Sequence, residues 1–128
     1  MFVGLIKILT NMAKSMLYLV LMVFSAFVGE NKLIGRWESK PSEKGNVTGV
    51  VFKDSTFEGY VNKKPFVSGV YKLENDIFSF VDNGCDGKMG VYKIVFFNNS
   101  DSLRFEPVND SCSGRRNGMS RLVLGRKK

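Results

Sequence analysis

The chain has 128 residues and 14.4 kDa, with 19 basic against 12 acidic residues, no histidine and two cysteines. That length suits one domain. Without histidine, neither a Cys/His zinc site nor a Ser-His-Asp or Cys-His catalytic centre can be assembled within the chain. A composition of 44% hydrophobic and 24% charged residues is that of a folding chain, not a disordered one.

Residues 1–29 hold two charges, Lys7 and Lys14, and no acid. Residues 16–28 (MLYLVLMVFSAFV) run uncharged directly after Lys14. A basic start followed by an apolar run of about 7–15 residues is the pattern of a secretory signal peptide. It is too short for a transmembrane helix, which needs about 20 apolar residues. The expectation is therefore an N-terminal signal helix over 1–29 and a mature domain over 30–128, secreted or held in the cell envelope. The alternative is an uncleaved helix that anchors the chain, so that membrane contact is made only through this segment. Met12 is an alternative start to Met1.

Past residue 30 the charge is unevenly placed. Residues 30–114 carry 11 basic and 12 acidic groups, whereas residues 115–128 carry six basic groups and no acid. A nucleic-acid-binding domain spreads its cations over a face or a helix, so nucleic acid is not an expected partner. The basic tail, ending in Arg126, Lys127 and Lys128, is either a solvated end or an attachment point for an anionic surface.

No segment beyond residue 30 reads as a helix. Strand-like runs recur at 33–39, 47–53, 56–62, 66–73, 77–82, 90–98, 102–107 and 119–125. Turn residues separate them, as in Lys53-Asp54-Ser55, Asn62-Lys63-Lys64-Pro65, Glu74-Asn75-Asp76 and Asn98-Asn99-Ser100-Asp101. Ser102-Leu103-Arg104-Phe105-Glu106 alternates apolar with polar, as a half-buried strand does. The predicted fold is all-β: a small eight-stranded antiparallel up-and-down barrel, in which closure hides the strand edges. A two-sheet sandwich is the alternative.

Gly35-Arg36-Trp37 opens the first strand. Gly69-Val70-Tyr71, Cys85, Gly90-Val91-Tyr92, Leu103-Arg104-Phe105 and Asp110-Ser111-Cys112-Ser113-Gly114-Arg115 follow in that order. This series resembles the small secreted lipocalin-like domains of the calycin group, over roughly residues 33–125. The chain is shorter than a typical lipocalin and lacks both the T-D-Y motif and the helix that packs against many such barrels. The resemblance implies that Trp37 closes one barrel end and that an arginine of the last strand packs across it, with Arg121 as the candidate. It also implies a small apolar ligand.

Cys85 and Cys112 are the only cysteines, and in an exported protein a disulfide between them is the default. Asp110 and Arg115 bracket Cys112 closely enough to pair, either ordering the loop or orienting a polar ligand head at the barrel mouth. Twelve aromatics follow residue 30. Trp37, Phe52, Phe57, Tyr71, Phe80, Tyr92, Phe96 and Phe105 are placed inward. So many bulky groups on strands of about six residues favour a filled interior, with an aromatic-lined pocket as the alternative. If a ligand enters, Phe52, Tyr71, Tyr92, Phe96 and Phe105 are the candidates to contact it. The carboxylates Asp54, Glu58, Asp76, Asp82, Asp86, Asp101 and Asp110 suggest no acid/base couple. No enzyme, cofactor or metal is expected. Two functions remain: a non-catalytic carrier of a small apolar or amphipathic molecule, or a filled interaction module, such as an inhibitor, acting through loops and basic tail.

Overall fold

The computed structural model describes residues 31–128; the expected signal helix lies outside them. Eight strands follow in order: β1 Gly35–Glu38, β2 Thr48–Phe52, β3 Thr56–Val61, β4 Lys64–Glu74, β5 Ile77–Asp82, β6 Gly90–Phe97, β7 Ser102–Asn109 and β8 Val123–Arg126. Each pairs antiparallel with its sequence neighbour, and β8 pairs back onto β1 to close the barrel. The expected turns supply the reversals. Asn62 and Lys63 both take the left-handed conformation, at φ 51° and 67°, which a two-residue hairpin turn matched to strand twist requires. Asn75 and the Asn98-Asn99-Ser100 run do the same at the next two turns on the opposite end.

One expectation fails. Residues 113–121 form a helix, α1 (Ser113–Arg121), between β7 and β8, and the last strand begins only at Val123. The sequence SGRRNGMSR hides it: two glycines, two serines and an asparagine disfavour a helix interior, and no residue of α1 is buried. What fixes the helix is tertiary. Cys112, its N-cap residue, is bonded to Cys85, and Arg115 in its first turn is tied into the barrel wall.

The alternation places one set of side chains inside. Trp37, Phe52, Phe57, Tyr71, Phe78, Phe80, Tyr92, Ile94, Leu103, Phe105 and Leu124, with Leu33 ahead of β1, form the buried core. Burial of so many large side chains, each contributing roughly 1.5–3 kcal/mol, is the main stabilising term for a domain of this size. Because strands alternate up and down, the turns divide into two groups. The segments after β1, β3, β5 and β7 lie at one end, with α1 and the disulfide; residues 31–34, the other turns and the C-terminus lie at the other.

Candidate functional site

The end that holds the C-terminus is plugged. Trp37 is fully buried and its indole N–H donates to the Leu33 carbonyl at 2.8 Å. Arg126, not Arg121, packs across it: register sets Arg126 opposite Trp37 on β8, and its guanidinium lies 4.2 Å from the ring centroid. The same guanidinium donates to the carbonyls of Lys32 at 2.8 Å and Ile34 at 3.4 Å, which ties residues 31–34 across the barrel floor. Arg121 ends α1 at the far end and donates only to the Asn117 carbonyl of its own helix, at 3.2 Å. The displacement follows from α1, which takes up 119–121, the start of the last strand expected from the sequence.

Three of the five candidate ligand contacts serve this plug or a wall. Phe96 is half-buried against Trp37, with ring centroids 6.4 Å apart. The Tyr71 hydroxyl accepts from the Asn31 amide at 2.8 Å and donates to the Lys53 carbonyl; burial raises its pKa. The Tyr92 hydroxyl donates to Asp110. Burial is the largest reason its pKa is raised, with the Asp110 carboxylate adding to it.

The other end is open. A cavity of about 720 Å³ lies there, lined by Phe52, Phe57, Phe78, Phe80 and Phe105 at its base. Phe78 and Phe80 stack at 5.1 Å, and Phe57 meets Phe80 edge-on at 5.6 Å, so the base is a preformed aromatic surface. Higher up, the inward positions are small: Thr48, Val50, Gly59 and Val67. These small residues leave space, whereas Trp37 and Leu33 fill the barrel at the other end. Residues Gly114, Gly118 and Met119 of α1, with Leu122, border the opening, and a Cβ on either glycine would meet nothing within 4 Å. The interior is thus filled at one end only. Of the five candidate residues, Phe52 and Phe105 line the cavity; Phe57, Phe78 and Phe80 line it too, and alternation along β3 and β5 is the signal that points to them.

A buried ionic cluster forms one side of the mouth. Arg115 donates to Asp110 twice, through Nε at 2.8 Å and Nη2 at 2.9 Å. It also donates to Asp82 at 3.3 Å and to the Lys88 carbonyl at 2.9 Å, and its guanidinium lies 4.7 Å from the Phe80 ring centroid. Burial by itself pushes the Asp110 carboxyl up, but hydrogen bonds from Arg115, Tyr92 and the Cys112 amide outweigh it and hold the pKa at about 2. The Asp110–Arg115 pair therefore orders the loop beside the disulfide and leaves the guanidinium committed to the wall. Gly90 makes this approach feasible: a Cβ there would sit 2.9 Å from Phe80 and 3.1 Å from both Arg115 and Asp110.

The disulfide joins Cys85, in the segment after β5, to Cys112, with Cα atoms 6.0 Å apart, and Cys85 itself borders the cavity. Among the described residues no group of acids and cysteines could hold a metal ion, and no helix is long and apolar enough to cross a membrane. Lys127 pairs with Glu38 at 3.5 Å and Lys128 with Asp101 at 3.9 Å, at the plugged end. Compared with protein families, with curated proteins and with solved structures, the chain matches none.

Proposed function

We propose that the chain is an exported, lipocalin-like barrel that binds one small apolar or amphipathic molecule in its open end and acts without catalysis. The observation that carries this reading is the cavity of about 720 Å³ with five phenylalanines at its base. Its volume falls within the roughly 300–1,000 Å³ range of small-molecule sites, and its walls are mostly apolar with few polar groups, as such sites are. A non-catalytic role is supported by the polar groups beside the cavity: Asp82 and Asp110 are both paired with Arg115, and Cys85 is oxidised. Export is supported by the disulfide, which persists in oxidising compartments.

The test is a fluorescence titration with the apolar probe 1-anilinonaphthalene-8-sulfonate, on wild type and on Gly118→Leu. Gly118 borders the cavity with open space around its Cβ position, so a leucine can be added there without a clash, and replacing a glycine inside α1 favours the helix by up to about 1 kcal/mol. Saturable one-to-one binding by wild type, lost in Gly118→Leu while its thermal midpoint holds or rises, supports the reading. Equal affinity in both proteins sinks it. Intact mass of the exported protein tests the rest: a chain short of residues 1–29 and two daltons below its dithiol form is expected.

A further inference from the structure

The two barrel ends differ in charge as well as in filling. At the open end, the segments between strands together with Lys64 expose seven cations and two acids, Glu43 and Asp86. Lys63 and Lys64 stand at the β3–β4 turn, Lys88, Arg116 and Arg121 on the disulfide side, and the other two cations between β1 and β2. None of the seven is in an ion pair among the described residues. At the plugged end, segments 31–34, 53–55, 75–76, 98–101 and 127–128 hold four lysines and three aspartates. Two of those lysines are paired. The open end is thus net +5 in exposed groups against +1 for all charged groups in the plugged-end segments.

Apolar exposure has the same polarity. Phe66, on β4 beside the lysine pair, is 75% exposed while also lining the cavity, and Met89, in the segment after β5 at the same end, is 58% exposed. Ile34, Ile77 and Phe97 at the plugged end are less exposed, at 43%, 39% and 36%; Val70, on β4 opposite Thr56, is 57% exposed but lacks a neighbouring pair of unpaired cations of the kind beside Phe66. We propose that the open end docks on an anionic phospholipid surface. Phe66 and Met89 enter the headgroup layer, the ring of cations sits among the phosphates, and the cavity faces the bilayer. Interfacial attachment needs this combination: apolar side chains supply burial, and each cation near the surface adds electrostatic attraction. A sulfated or phosphorylated polymer would engage the cations but give Phe66 and Met89 nothing to enter. Docking in this orientation also spares an apolar ligand a passage through water, although the attachment itself does not depend on the cavity being used.

Phe66→Trp in the full chain places an indole at the mouth, while the native Trp37 is buried at the other end. The variant is titrated with phosphatidylglycerol/brominated phosphatidylcholine vesicles. The expected result is quenching of the introduced indole, abolished by high salt. Adding Lys63→Gln and Lys64→Gln should shift the half-quenching lipid concentration roughly 30-fold upward, from the loss of two surface cations. Sedimentation with vesicles without quenching would mean attachment through another segment and overturns the proposal. So does equal quenching by neutral vesicles, or binding to heparin with no quenching. A lipid-independent dimer that shields the indole from iodide would assign the surface to a second copy, and overturns it too.

Discussion

The plugged and open ends of the barrel are made from the same eight strands, yet they use their inward residues differently. From the residue before β8 along the strand, inward positions pass from Leu122 at the cavity, through buried Leu124, to Arg126 stacked on Trp37. At the plugged end every polar group that enters has a partner: the indole N–H, the guanidinium and the Tyr71 hydroxyl each bond backbone. Within the cavity at the open end the charged lining is Asp82 and Arg115, on one wall, and most of the remaining lining is aromatic, aliphatic or small. Stability is thus concentrated where the chain is filled and binding capacity where it is not, because a cavity forfeits the contacts that packing provides.

The largest effect should separate the ends directly. Trp37→Ala is expected to cost about 3–5 kcal/mol, whereas Phe57→Ala, whose ring already borders open space, should cost roughly 2 kcal/mol. Urea midpoints of the two variants measure the difference, and equal losses would erase the distinction between filled and open ends.

Next is the disulfide, which holds the open end together over a sequence separation of 27. Replacing Cys85 and Cys112 by serine should lower stability by roughly 3–4 kcal/mol in the chain-entropy account. Hydrogen exchange should then rise in α1 and the segment after β5 before it rises near Trp37. Uniform loss of protection would contradict the division.

A smaller effect is set by pH. Asp110 has its pKa lowered from 3.8 to about 2, so the folded state favours the carboxylate. The stabilisation is fully present above about pH 5 and drains away as pH falls toward 2, to a total of roughly 2 kcal/mol. Asp110→Asn should lose that acid-dependent component, so that the stability gap between it and wild type narrows from pH 5.5 to pH 2.5. A constant gap would place the acid sensitivity elsewhere.

The smallest effect discriminates two arginines. Arg126→Met should cost about 1 kcal/mol through the lost cation–aromatic contact and carbonyl bonds. Arg121→Ala, on an exposed helix face, should stay within about 0.5 kcal/mol of wild type. Thermal midpoints of the pair decide which arginine supports Trp37.

What the sequence determined by itself is the barrel. Alternation in β7, the Asn62-Lys63 and Glu74-Asn75-Asp76 turns and the short spacing of the strands leave few ways to bury the apolar faces, and local physics suffices to read them. The Cys85–Cys112 bridge and the inward side of Phe52 and Phe105 were equally legible. What only the tertiary structure decided is α1, and with it the site. Ser113–Arg121 has neither helical propensity nor an apolar stripe; it is helical because a disulfide and the Arg115–Asp110 pair, both long-range or loop-dependent, hold it across the mouth. This nine-residue helix sets the start of the last strand at Val123 in place of 119 and gives the place beside Trp37 to Arg126. Volume was the other unreadable quantity. A residue's inward direction follows from a period of two, but whether small inward residues on β2, β3 and β4 face one another across a space depends on register and barrel closure.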